Sequence, residues 1–66
     1  MKNTIRVERA KLDMTQGELA EKVNVSKQTI LSIEKGKFSP SAILAMKIAR
    51  FFNAKVEDIF ELEPED

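Results

Sequence analysis

Histidine, cysteine, tryptophan and tyrosine are all absent from this chain of 66 residues. Without cysteine it has no disulfide and no thiolate metal site, and without histidine it lacks the commonest metal ligand and general base. No carboxylate pair and no combination of nucleophile and base stands out among the remaining residues. The composition therefore argues against an enzyme, and we expect neither a cofactor nor a metal ion.

Glycine and proline are scarce, with two residues of each, and long apolar runs are missing. No run approaches the roughly 20 apolar residues of a membrane span, and the N-terminus lacks the apolar stretch of a signal peptide. A chain this short buries only about 60% of the surface that its unfolded state exposes. We therefore expect one small domain over residues 1–66, cytoplasmic and without membrane contact.

The formal net charge is zero, but the charges are unevenly distributed. Met1 to Phe52 contains ten Lys or Arg and five Asp or Glu, which gives +5, whereas Asn53 to Asp66 contains one Lys and six acids, which gives −5. A basic body is typical of proteins that neutralise nucleic-acid phosphates. Residues 61–66 are expected to be an acidic tail that keeps the protein soluble.

Apolar residues recur at helical spacing along almost the whole chain, which predicts an all-α fold. Helix 1 is expected from about Thr4 to Leu12, with Ile5 and Leu12 buried. Helix 4 is expected from Ser41 to Phe52, and a short helix 5 lies in the segment "VEDIF". The inner face of helix 4 is predicted to consist of Ala42, Ala45, Ile48, Ala49 and Phe52.

The segment between these helices contains two helix starts separated by a short turn. Thr15 and Glu18 have the spacing of a capping box at the start of helix 2, and Ser26 is a good N-cap for helix 3. Asn24 can adopt the left-handed conformation that a sharp turn requires, and Gly36 can end helix 3 in the same way. This is the pattern of a helix-turn-helix, with Leu19, Ala20, Val23, Ile30 and Ile33 buried.

Helical spacing alone fits a plain helical hairpin equally well, so the outward residues of helix 3 decide between the two. They carry ammonium, amide and hydroxyl groups that can contact base edges in a major groove, whereas an ordinary solvated face more often carries Glu and Lys pairs. The outward set is Lys27, Gln28, Thr29, Leu31 and Ser32.

The segment "MTQGELAEKVNVSKQTILSIEKGKFSPS" resembles the lambda repressor-like helix-turn-helix family, also called the Xre family, and more narrowly its compact bacterial and archaeal regulators. Thr-Gln before Glu-Leu-Ala, Ser-x-Gln-Thr-Ile, Ile-Glu-x-Gly-Lys and the following Pro-Ser are in the family's order and spacing. The likeness extends from Ile5 to about Phe60, although Asp13 and Asn24 replace glycines that are usual there. It implies a five-helix DNA-binding domain.

The resemblance also implies a role for individual residues. Gln28 is expected to bond adenine, Lys27 to reach guanine and Leu31 to pack on a thymine methyl group. Arg9 and Glu34 match a partly buried ion pair that joins helix 1 to helix 3, and their role is structural. Contacts to backbone phosphates are expected from Thr15, Gln16, Ser26, Lys35 and Lys37.

Helix 4 has more apolar residues than one buried face needs. Burial under helix 5 is one explanation, and a homodimer interface is the one we favour, formed by Ile43, Phe51, Ile59, Phe60 and Leu62. The acidic stretch would then lie on the side away from helix 3, because DNA would repel it.

Two classes of function therefore remain open at this point. The first is a regulator, simplest as a repressor, that binds double-stranded DNA as a homodimer. The second is a protein-interaction module, either an antitoxin that grips a toxin or an adaptor without DNA contacts.

Overall fold

A computed structural model describes all residues, 1–66, and consists of five helices and one short pair of strands. The five-helix architecture predicted from the sequence is confirmed, and helices 1–5 correspond to α1–α5. The strand pair was not predicted. In chain order the elements are β1 (Lys2–Asn3), α1 (Ile5–Lys11), α2 (Gln16–Lys22), α3 (Lys27–Glu34), α4 (Ala42–Phe51), α5 (Val56–Ile59) and β2 (Phe60–Glu61).

The core is entirely apolar and draws on all five helices and on β2. Two predictions about it are wrong. Leu12 is 54% exposed, because α1 ends at Lys11 and the chain turns away from the inner face. Ala42, the first residue of α4, is exposed, and Leu44 takes part in the core instead. The buried residues are Ile5, Leu19, Ala20, Val23, Ile30, Ile33, Leu44, Ala45, Ile48, Ala49, Ile59 and Phe60.

Four helices end in the same way, with a left-handed residue directly after the C-cap. At α3 the left-handed residue is Gly36 (φ 75°), whose N–H bonds to the carbonyl of Ile33, while the N–H of Lys37 bonds to the carbonyl of Ser32. These are the two bonds of a Schellman motif. The helices α1, α2 and α4 repeat this pattern with residues other than glycine at the left-handed position, namely Asp13, Asn24 and Asn53.

The two ends of the chain lie together. Lys2 pairs with Glu61 and Asn3 with Phe60 in an antiparallel arrangement. The Met1 ammonium is 3.1 Å from carboxylate oxygens of both Glu63 and Asp66. Hydrogen bonds to these two carboxylates, with Glu63 the larger cause, raise the pKa of the Met1 amine. The acidic segment is therefore held to the N-terminus in this structure.

The position of this acidic segment corrects one expectation. The carbonyl oxygen of Met1 lies 3.8 Å from the place that a Cβ atom of Gly36 would occupy, and the side-chain amide of Asn3 donates to the carbonyl of Ile33 at 2.8 Å. The joined termini thus lie at the C-terminal end of α3 rather than on the side away from it. Lys27 and Gln28 are at the opposite end of that helix.

Candidate nucleic-acid interface

The helix α3 has one buried and one outward face. Ile30 and Ile33 are almost fully buried, which fixes the rotation of the helix and turns the other side toward solvent. Lys27 and Gln28 are exposed on its first turn, and Leu31 and Ser32 follow one turn later, partly exposed. The structure therefore brings four of the five predicted base-contacting residues onto one surface.

Thr29, the fifth predicted base-contacting residue, is engaged at the start of α3. Its hydroxyl lies 2.9 Å from the hydroxyl of Ser26, and its backbone N–H donates to the Ser26 hydroxyl at 3.2 Å. Its side chain is only partly exposed. Thr29 thus supports the N-cap as well as bordering the outward surface.

The capping residues lie at the starts of the two helices. The Thr15 hydroxyl accepts the backbone N–H of Glu18 at 3.0 Å, and the Glu18 carboxylate accepts the backbone N–H of Thr15 at 2.8 Å. The hydrogen bond from the backbone N–H of Thr15, and after it one from the Thr15 side chain, lowers the pKa of Glu18. Thr15 is therefore the N-cap of α2, and its contact with a backbone phosphate stays a prediction.

The two predicted phosphate-binding lysines after α3 are free of acidic partners. Lys35 is the C-cap of α3 and Lys37 follows the left-handed Gly36, and both side chains are exposed. Neither forms an ion pair, and the same is true of Lys27. Three ammonium groups are therefore available to an anionic partner at the two ends of α3.

Arg9 and Glu34 form the ion pair that the sequence suggested, and the structure adds a third member. Arg9 Nε lies 2.6 Å from Glu34 Oε2, and Nη2 lies 3.0 Å from Oε1. The Gln16 amide donates to Glu34 Oε1 at 3.1 Å. The hydrogen bonds from Arg9 to Glu34 raise the pKa of the guanidinium. Sequence reasoning missed the contact of Gln16 with this pair, because nothing in the spacing of two residues on different helices indicates it.

The sequence of this interface and its fold match a known family. The family model described as "Helix-turn-helix" matches residues 5–59. The chain belongs to this helix-turn-helix family. Its fold is also that of the clp gene regulator ClgR from Corynebacterium glutamicum, with a TM-score of 0.76 and 31% identity over 83% of this chain. This chain spans 58% of the ClgR chain.

Relatives of similar length carry the same family description. An HTH-type transcriptional regulator of Methanocaldococcus jannaschii is 53% identical over the full length of both chains, and YgzD of Bacillus subtilis, also an HTH-type transcriptional regulator, is 46% identical over the full length of both. These findings confirm the resemblance to the Xre family, and with it a DNA-binding transcriptional regulator rather than an enzyme. None of the helices has the length and apolar character needed to cross a membrane.

Only some of the residues expected at a dimer interface are exposed in the structure. Ile59, the last residue of α5, and Phe60, the first residue of β2, are core residues, 2% and 7% exposed. They are not available to a second protomer. Phe51 is half-buried and packs edge-on against Phe52 with ring centroids 5.2 Å apart.

An exposed apolar surface does exist on α4, with other members. Ile43 is 70% exposed and Met46 is 61% exposed, and together with Ala49, Ala54 and Val56 they line an open groove of about 940 Å³ between α4 and α5. We call these five residues the α4 groove. Met46 is among the surplus apolar residues of helix 4 but was not included in the predicted interface, although its spacing of three residues from Ile43 places both on one side of a helix. The polar residues around the groove are Lys47, Arg50, Asn53, Lys55 and Asp58.

Proposed function

We propose that the protein is a sequence-specific repressor that binds a near-palindromic operator as a homodimer and inserts α3 into the major groove. The observation that carries this proposal is the outward face of α3, where Lys27, Gln28 and Ser32 are accessible while Ile30 and Ile33 anchor the helix from behind. An amide such as that of Gln28 can make two hydrogen bonds to adenine, and an ammonium can reach guanine.

The phosphate contacts follow from the residues that surround this helix. The hydroxyl groups of Thr15 and Ser26 lie at helix starts, where backbone N–H groups favour an anion. Lys35 and Lys37 lie beyond the other end of α3 and are unpaired. Contacts on both sides of the recognition helix would fix its register on the duplex without specifying sequence.

The α4 groove supports the homodimer. Its floor is apolar, and Lys47, Arg50 and Lys55 lie around it with Asp58 as the only acid. The C-terminal segment of a second copy is complementary, because Leu62 is 78% exposed and follows Glu61, whose carboxylate forms no ion pair. We propose that Ile43, Met46 and Leu62 form the dimer contact. A partner protein, such as a toxin, is the alternative occupant of this groove.

Repression requires only that the dimer occupy a site that overlaps a promoter. A two-fold dimer of this fold would place two α3 helices about 34 Å apart, one turn of DNA. The bound sequence should therefore consist of two inverted half-sites whose centres are about 10 base pairs apart.

Selection of binding sites from random duplex DNA tests this proposal. We expect enrichment of one near-palindromic sequence, and we expect a promoter that contains it to lose activity when the protein is present. Enrichment of a single half-site would contradict the dimer, and the absence of any enriched sequence would contradict sequence-specific binding. Activation of the promoter would contradict repression.

A further inference from the structure

Gln16, which the family resemblance leads us to expect at a backbone phosphate, is not free in the structure. Its side-chain Nε2 donates to Glu34 Oε1 at 3.1 Å, so the first residue of α2 is tied to the last residue of α3. Glu34 is itself held by two bonds from Arg9. A third nitrogen of Arg9, Nη1, donates to the carbonyl of Met14 at 2.8 Å, one residue before the N-cap of α2.

This arrangement determines which way the Gln16 amide faces. A carboxylate can only accept hydrogen bonds, so the NH₂ group and not the oxygen of the amide must face Glu34. The Glu34 side chain is 7% exposed and that of Arg9 is 13% exposed, so both are held by packing. One N–H of Gln16 is used by Glu34 and the second remains to be donated, and a phosphate oxygen is an acceptor.

The negative charge of Glu34 lies close to the place where Gln16 would bind a phosphate. A phosphate that binds Gln16 comes within a few bond lengths of the Glu34 carboxylate, and two anions at such a distance repel each other. The guanidinium of Arg9 lies on that carboxylate in a two-point contact, and such contacts are among the strongest that a carboxylate makes. Arg9 therefore offsets the negative charge next to the expected phosphate position.

We propose that Arg9 and Glu34 are positioning residues for DNA binding and do more than stabilise the fold. Glu34 holds Gln16 with its second N–H directed at a backbone phosphate, and Arg9 neutralises the carboxylate that would otherwise repel that phosphate. The inference rests on the proposed DNA-binding function. It also means that the position of the α2 phosphate contact relative to α3 is fixed, because Glu34 belongs to α3 and holds Gln16 of α2.

A double-mutant cycle tests the positioning by Glu34. Its background variant combines Arg9→Met with Glu34→Leu, since a buried ion pair can often be replaced by apolar residues of similar size without loss of stability. The probe is a short duplex of mixed sequence, because a phosphate contact acts on every sequence. In the unmodified protein Gln16→Ala should weaken binding by about tenfold, the effect of one hydrogen bond to a charged group. In the background variant it should weaken binding by less than about twofold, since Gln16 is no longer held.

Lys37→Ala is the matched control for this cycle. Lys37 is proposed to contact phosphate but forms no side-chain hydrogen bond or ion pair with Arg9, Glu34 or Gln16. Its replacement should weaken binding by the same factor in both proteins. Circular dichroism at the temperature of the titration establishes that every variant compared is folded.

The role of Arg9 is tested by leaving Glu34 unpaired. Arg9→Met alone should bind the duplex more weakly than the variant that carries both Arg9→Met and Glu34→Leu, because only the single variant retains an uncompensated carboxylate. If Arg9→Met does not fold, Arg9→Lys, which keeps the charge but not the two-point contact, takes its place. It should weaken binding less than Gln16→Ala does.

The outcomes separate this inference from the proposed function. An equal cost of Gln16→Ala in both backgrounds would overturn the positioning role while leaving DNA binding intact. Equal or tighter binding by the Arg9→Met variant relative to the double variant, or a cost of Arg9→Lys as large as that of Gln16→Ala, would overturn the role of Arg9. An unmodified protein that binds no duplex would overturn both the inference and the function on which it rests.

Discussion

The α2–α3 region and the α4–α5 region use the same local devices to form helices but present opposite surfaces to solvent. The helices α2, α3 and α4 begin at a Thr or Ser whose hydroxyl accepts a backbone N–H, and all three end with a left-handed residue. The outward side of α3 carries Lys27 and Gln28, whereas that of α4 carries Ile43 and Met46.

This difference shows that the capping residues at the two ends of a helix do not indicate which kind of molecule its exposed face binds. Caps and left-handed ends satisfy the backbone groups that every helix leaves unpaired. The residues left outside after the core has formed determine whether the partner is polar or apolar. In this chain polar groups remain outside on α3 and apolar groups on α4, and the DNA contact proposed for α3 and the dimer contact proposed for α4 follow from this difference.

The largest expected effect comes from placing a charge on the apolar surface. Ile43→Asp should dissociate the homodimer, since the new carboxylate would be buried against the apolar Leu62 of the second copy, next to the negative charge of its Glu61. Each protomer would then bind one half-site, so affinity for the selected operator should fall by about 10²- to 10⁴-fold, while weak binding to random DNA persists. Sedimentation and a titration with operator DNA measure both effects.

Val7→Asp is the control for this change, because Val7 is 54% exposed and lies on α1, outside the α4 groove. This variant should remain a dimer. An Ile43→Asp protein that stays dimeric, or a monomer that binds the operator at full strength, would show that the α4 groove is not the dimer interface used in operator binding.

The next effect concerns the outward face of α3. Gln28→Ala should cost about 1–3 kcal/mol for the operator and relax the preference at one base position, because a two-point contact to a base is lost. Lys37→Ala should weaken all sequences alike and reduce the slope of log affinity against log salt by about one. Titrations of both variants with operator and random DNA at several salt concentrations measure these effects. If both variants changed specific and random binding equally, Gln28 would not read a base.

A smaller effect distinguishes the α2–α3 region from the α4–α5 region. It compares two equivalent N-cap residues, Ser26 at the start of α3 and Ser41 at the start of α4. Ser26→Ala and Ser41→Ala should each lower the free energy of unfolding by about 1 kcal/mol, because each hydroxyl accepts one backbone N–H, at 3.2 Å and 3.1 Å. Only Ser26→Ala should also weaken DNA binding, since only Ser26 belongs to the proposed interface. Urea unfolding and DNA titration provide the two measurements. Equal loss of DNA affinity in both variants would mean that the caps act through stability alone.

The smallest expected effect is a pH dependence of the capping box of α2. Because the pKa of Glu18 is lowered in the folded protein by the bonds with Thr15, its ionised form stabilises the fold. This contribution is complete above the pKa of an unfolded glutamate, about 4.3, and is lost as the pH falls through the lowered folded value. Glu18→Gln should therefore flatten the decline in melting temperature on acidification.

Glu21→Gln is the comparison for that measurement, because Glu21 lies on the same helix and makes no side-chain hydrogen bond. Its decline on acidification should match that of the unmodified protein. A Glu18→Gln protein with an unchanged decline would show that the capping box does not contribute to the acid sensitivity.

Much of the fold could be predicted from the sequence, because its signals are local. The box of Thr15 and Glu18, the N-cap at Ser26 and the left-handed residues Asn24 and Gly36 each depend on neighbours within a few positions, and the structure contains them all. The strand pair could not be predicted, since two residues per strand are too few to show a period. The base and phosphate contacts remain predictions.

The sequence by itself determined where α2 and α3 begin and end and which face of α3 is apolar, because hydrogen bonds within one turn and a period of 3.6 residues act along the chain. Only the tertiary structure decided that Phe60 is a core residue, that Met46 belongs to an exposed groove and that Gln16 is held by Glu34. These facts depend on which distant segments meet. That is set by the packing of the whole core around residues far apart in the chain.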